Sequence, residues 1–138
     1  MTVQHYWADK ETGDKLSNLD PSKIQIDFTN DGWTEDKSAE TTERNVFYYN
    51  SILKKGQTST DFTDKISISG DIAAIVGQTS QTDDNGLTTI TTTYEYDGAS
   101  FVLEATVDAV QTHNAEDAIK SAWGVDVNIS DDGALSLE

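Results

Sequence analysis

Twenty-five carboxylates and two histidines are the side chains here best suited to chemistry, and their spacing decides which chemistry is open to them. His5 and His113 stand far apart in sequence, with no His-Glu-x-x-His helix to set two imidazoles on one face, so metal-dependent hydrolysis has no ligand set. His113 reads as a surface residue or minor cap. Calcium is the more serious prospect. Asp27-Phe28-Thr29-Asn30-Asp31-Gly32 places oxygen ligands at alternate positions before a glycine, as an EF-hand loop begins. Ser38 then occupies the place of the bidentate glutamate, so the signature is incomplete. Asp83-Asp84-Asn85-Gly86 and Ser130-Asp131-Asp132-Gly133 carry carboxylates that ordinary turn chemistry explains equally well. The calcium candidates are therefore Asp27, Asp31, Asp83 and Asp84, with no other cofactor expected. No serine lies in a Gly-x-Ser-x-Gly elbow and no glycine-rich phosphate loop is present. Paired carboxylates of the glycosidase kind arise by chance at this acid density. No catalytic residue is assigned, and the expectation is a structural or interaction module, not an enzyme.

The same acids dominate the electrostatics. Nine basic residues against twenty-five acidic ones give a net charge of −16. A field of that sign repels phosphate backbones and anionic lipid, which argues against nucleic-acid and membrane partners. It favours solubility, cations or a basic partner. The absence of cysteine removes disulfides, thiol catalysis and thiolate metal sites together. No apolar run is long enough to span a bilayer, and no signal peptide is visible within Met1–Glu138.

The elements that must position these groups are mostly strands. The length suits one domain, 1–138, with 1–21 read as a loosely anchored N-terminal segment whose aromatics cover a core edge. Ile24-Gln25-Ile26-Asp27-Phe28 alternates with period two, and Asn30-Asp31-Gly32 turns it. Residues 34–44 are rich in charge and poor in large apolar groups, which predicts a solvated loop. Val46-Phe47-Tyr48-Tyr49 is an aromatic strand, and Lys54-Lys55-Gly56-Gln57 a turn. Residues 62–69 carry Ile66 and Ile68 on one face, and Ile72–Val76, a short apolar run that suits a strand or a buried helix, is taken as a further strand.

Asp84-Asn85-Gly86 and Asp97-Gly98 are tight-turn signals flanking the threonine-rich stretch 88–96. After them Phe101, Leu103, Ala105, Val107 and Ala109 share one face, which predicts an antiparallel meander. Asn114 can cap a helix over 115–123 that stops at Gly124, with Ile119, Ala122 and Trp123 on its docking face. Val125, Val127 and Ile129 alternate once more before the turn at Asp131-Asp132-Gly133. The fold class expected is mostly β, an antiparallel β-sandwich with one short helix. Trp33, Phe47, Tyr48, Tyr49, Tyr94 and Tyr96 could form a sugar-stacking platform, but the shortage of other large apolar groups claims them for the core.

Four stretches carry a resemblance that spans roughly residues 24–124. They are Ile26-Asp27-Phe28 through Gly32-Trp33, then Val46-Phe47-Tyr48-Tyr49-Asn50-Ser51-Ile52-Leu53-Lys54-Lys55-Gly56-Gln57-Thr58-Ser59, then Tyr96-Asp97-Gly98-Ala99-Ser100-Phe101. The fourth is Val107-Asp108-Ala109-Val110-Gln111 followed by Ala122-Trp123-Gly124. Their order resembles the exported proteins of Gram-positive bacteria with SipW-type signal peptides, the TasA, camelysin and BsaA-like biofilm matrix family. The resemblance implies a jelly-roll-like sandwich, an extracellular or cell-surface location, and a signal peptide that precedes the chain given. It further implies a structural role in biofilm matrix or fibre assembly, by self-association or with other matrix proteins, one subunit's N-terminal strand completing the next subunit's sheet. The camelysin-linked proteolysis finds no matching residues here and is not carried over. The alternative expectation is an adhesin-like binding module for a host protein or glycan, with or without calcium.

Overall fold

The computed structural model of the chain describes residues 1–29 and 31–138. Among them the order is β1 (Thr2–Asp9), β2 (Ile24–Phe28), β3 (Trp33–Glu35), β4 (Arg44–Tyr49), β5 (Thr63–Ile68), β6 (Val76–Thr82), β7 (Thr88–Tyr94) and β8 (Ala99–Thr106). The helix α1 (Ala115–Trp123) and strands β9 (Val127–Ile129) and β10 (Leu135–Leu137) complete it. The class is the one expected, mostly β and sandwich-like, with antiparallel sheets and one short helix. Four strands run in the order β3-β4-β1-β8, and three further pairs form: β2 with β5, β6 with β7, and β9 with β10. Where the sequence suggests a single domain, contacts group the chain into two compact units. One comprises Met1–Gln4, Ile26–Ile66 and Leu103–Glu138; the other comprises His5–Gln25 and Ser67–Val102.

In the first unit, β4 is paired on both sides. Thr2, Val3 and Gln4 lie opposite Val46, Asn45 and Arg44, and Trp33, Thr34 and Glu35 lie opposite Tyr49, Tyr48 and Phe47. Val3, Phe47, Tyr48, Ile119 and Val127 are buried in this unit. The Phe28 ring leans on Phe47 at 4.7 Å and on Phe62 at 6.4 Å between centroids. Helix α1 docks Ile119 inward, places Trp123 5.8 Å from Tyr48, and accepts the Ile129 N–H on Glu116 Oε1 at 2.9 Å. Its C-terminus closes as predicted, with Gly124 at φ 72° donating to the Lys120 carbonyl at 3.0 Å. Its N-terminus departs in mechanism: Asn114 sits at φ 54° and makes no side-chain capping bond.

In the second unit, Trp7, Ala8, Leu19 and Ile24 are buried. Trp7 donates its indole N–H to the Asp20 carbonyl at 2.9 Å and meets Tyr96 edge-on at 5.0 Å. The Tyr96 hydroxyl in turn accepts the Asp20 N–H at 3.1 Å. Lys23 and Asp71 form an ion pair at 2.7 Å.

Four local expectations are corrected. The segment 1–21 is not loosely anchored: Thr2–Asp9 is a strand whose Val3, His5 and Trp7 are buried at alternate positions. The stretch 34–44 contains the end of β3, and Asp36 is buried, accepting the Ser38 N–H at 3.0 Å and the Ser38 hydroxyl at 2.6 Å. Residues 70–74 form a 3-10 turn in place of a strand starting at Ile72. The meander breaks after β7, because β8 joins β1 at a sheet edge.

Candidate functional site

The calcium candidates divide between the two units. Asp27 is exposed near the end of β2. Its carbonyl accepts the Thr63 hydroxyl at 3.0 Å, and the Thr29 hydroxyl is engaged by the Asp61 carbonyl at 2.5 Å. Asn30, the middle ligand of the proposed loop, lies outside the described residues. Asp31 lines a depression of about 680 Å³ with Asp61 and Asp64. Its carbonyl accepts the Thr60 hydroxyl. In the second unit the Asp83 carboxylate is spent on its own turn, where Oδ1 accepts the N–H groups of Asn85 and Leu87, both at 2.9 Å. Asp84 is exposed at the same turn. Asp132 is likewise engaged by the Ser130 hydroxyl at 2.5 Å, which holds its carboxyl below the usual carboxylate range. Among the described residues no group of three or more His, Asp or Glu side chains is arranged to hold a metal ion. His113 is exposed.

The aromatic residues go two ways. Phe47 and Tyr48 are buried, whereas Trp33 and Tyr49 are half-buried and pack edge-on at 4.9 Å. These four line one side of a cleft of about 280 Å³ in the first unit. Ile52, Leu53, Val110, Ile119, Trp123, Ile129 and Leu135 supply most of its remaining apolar walls, and Asp108 is its sole lining residue with a charged side chain. Burial pushes the Tyr48 hydroxyl up from the usual phenol value, and the charge of Asp36 adds to the shift. The cleft therefore favours an apolar occupant over a charged one.

The strand beneath the cleft, β4, bonds to its two neighbours in alternation. Asp36 donates to the Val46 carbonyl and Asn50 to the Gly32 carbonyl, each at 2.9 Å. In an antiparallel ladder this alternation makes residues 46, 48 and 50 bond toward β3. Phe47 bonds the other way, exchanging two 2.8 Å bonds with Met1. By the same alternation Tyr49 offers its N–H and C=O on the β1 side.

Sequence reading missed the wall built by residues 107–112. It placed Val107 and Ala109 on the inner face of a long strand, but β8 ends at Thr106 and Val107 is 69 % exposed. Ile52 and Leu53 are 44 % and 47 % exposed at the rim. The available signal was an apolar pair directly before the Lys54-Lys55-Gly56 turn, where a solvated loop needs none.

Comparison with known proteins adds no assignment: no protein-family model, curated protein or solved structure matches the chain. Among the described residues no helix is long and apolar enough to cross a membrane.

Proposed function

We propose that the protein is a secreted or cell-surface structural protein that contributes to biofilm matrix or fibre assembly through β-edge contacts. The observation that carries this reading is the apolar cleft of about 280 Å³ in the first unit, which β4 lines. A strand that pairs at a sheet edge and drops alternate side chains into this cleft combines backbone bonding with apolar burial, the two-part recognition of strand addition. The resemblance in the tyrosine-rich β4 segment and the Ala-Val-Gln and Ala-Trp-Gly stretches supports the same job, since those segments build the cleft wall and floor.

Electron microscopy and light scattering of the mature chain test the proposal. Filaments or higher oligomers are expected, and Leu53→Asp at the exposed rim should reduce them by at least about tenfold, because a charge desolvated by the added strand has no partner. A chain that stays monomeric at millimolar concentration would end the assembly reading.

A further inference from the structure

The ribbon formed by β6 and β7 has the opposite character to the rest of the chain. One residue in four of the protein is charged, 25 % in all, yet Val76-Gly77-Gln78-Thr79-Ser80-Gln81-Thr82 and Thr88-Thr89-Ile90-Thr91-Thr92-Thr93-Tyr94 contain no charge. Every residue of both strands is exposed, with Ile90 at 65 % and Tyr94 at 55 %. Proteins ordinarily protect a two-sided open edge with lysine, proline, a bulge or brevity. This ribbon has none of these, and its register runs unbroken from Val76↔Tyr94 to Thr82↔Thr88.

The hydrogen-bond alternation shows which groups are free. Asp83 donates to the Leu87 carbonyl at 3.0 Å and Glu95 to the Ile75 carbonyl at 3.1 Å. These rungs fix 81/89, 79/91 and 77/93 as the internally bonded pairs. Thr88, Ile90, Thr92 and Tyr94 consequently turn their N–H and C=O outward along the β7 edge. An antiparallel register centred on Thr91 sets Thr88 against Tyr94 and Ile90 against Thr92 of a second copy, and uses every one of those outward groups.

We infer that β7 is a homotypic docking edge, at which a second copy of this chain pairs antiparallel about Thr91. The occupant follows from self-complementarity, because the register about Thr91 matches the four outward-turned residues of one copy to the same four of another. Charge then decides where two copies can meet. Two copies at −16 repel over most of their surface, so they approach at least cost where a stretch of strand is neutral. The acids closest in sequence, Asp83 and Asp84 at the tip and Glu95 and Asp97 at the base, leave a residual repulsion that salt screens. Strand β7 is favoured over β6 because six of its residues are β-branched and the seventh is aromatic, whereas β6 includes Gly77 and two glutamines. This rests on the reading of the protein as self-assembling and gives it a second contact, independent of the cleft.

The absence of native cysteine makes the test direct. Opposite residues in a non-bonded antiparallel pair stand about 4.5 Å apart at Cα, within disulfide reach. Under oxidation, Thr91→Cys should crosslink into dimers at least ~10-fold faster than the exposed-loop control Thr58→Cys, since pairing raises the local thiol concentration. The rate should rise between about 10 mM and 0.15 M salt. It should fall back to the control rate when Ile90→Glu and Thr92→Glu are added, because like charges then face each other. A Thr91→Cys rate no higher than the control overturns the inference, as does faster crosslinking of Thr79→Cys on β6. Filaments formed by a chain whose Thr91→Cys variant does not crosslink would remove the ribbon contact and keep the assembly reading. Efficient crosslinking without filaments would do the reverse.

Discussion

In the first unit Phe47 and Ile119 are each 2 % exposed and the aromatic side chains around them gather at a cleft, whereas the ribbon of the second unit buries none of its residues. The two regions keep the same backbone ladder for different reasons. Around β4 the strands are held by what their side chains bury, so the pairing is a consequence of the core. In β6 and β7 the ladder, the Asp83 turn and cross-strand contacts such as Thr82–Thr88 at 2.9 Å and Gln78–Thr92 at 3.3 Å are what remains. A two-stranded ribbon without a covered face is marginal in water. The contrast shows that strand content alone does not reveal where stability lies.

Substitutions separate the two regimes. Phe47→Ala removes the ring that meets Phe28 and should cost about 3–5 kcal/mol in urea unfolding followed by tryptophan fluorescence. A loss below about 1 kcal/mol would mean that the β4 core does not set stability. Gly133→Ala comes next. Gly133 has φ 85°, and a Cβ there would lie 2.5 Å from Ile52 Cδ1. About 1–3 kcal/mol of destabilisation is expected by thermal melting, partly recovered by adding Ile52→Ala. No recovery would show that the backbone angle, and not the contact, is responsible.

Acid should produce a smaller loss spread over both units. The Ser22 hydroxyl and N–H hold Asp20 below its ordinary carboxylate value, Lys23 does so for Asp71, and the Ser130 hydroxyl for Asp132. Each carboxyl is lower in the folded state, so its contribution is complete above the unfolded value and disappears as pH falls through the folded one. The melting temperature should therefore be level above about pH 5 and drop below about pH 4. Asp71→Asn should flatten part of that drop; an unchanged profile would remove the Lys23 pair as a contributor. The smallest effect belongs to the ribbon, where Ile90→Ala should alter stability by no more than about 0.5 kcal/mol. A cost near 2 kcal/mol would show that Ile90 is covered and would erase the contrast.

What the sequence made legible follows the range of each interaction. Turns depend on neighbours in the chain, and Gly56, Gly86, Gly98, Gly124 and Gly133 all adopt the positive φ that their turns demand. Helix α1 was readable for the same reason, from its spacing and its glycine stop. Strand β1 was missed because its inner face reads Val3-His5-Trp7, and a polar imidazole hid the period-two signal. The partner of β8 could not be read, since pairing with β1 joins residues about ninety positions apart. The turn at 70–74 failed for a local reason: a short apolar run fits strand and helix alike. The cleft depends on five separated stretches converging, and the tyrosine-rich β4 stretch with the Ile52-Leu53 pair after it was the local hint. The calcium candidates illustrate the converse, since carboxylates suited to ligation are also the ones turns recruit.

The bond between the Trp7 indole and the Asp20 carbonyl has one more use. Of the three tryptophans, Trp33 and Trp123 belong to the first unit and Trp7 alone to the second. At 3 % exposure, with its N–H engaged, Trp7 is shielded from solvent in the folded unit and exposed to it in the unfolded chain. In a Trp33→Phe, Trp123→Phe background its emission becomes a spectroscopic clock for the second unit alone. Whether the two units melt together or in sequence can then be read by fluorescence, without any label attached to the ribbon.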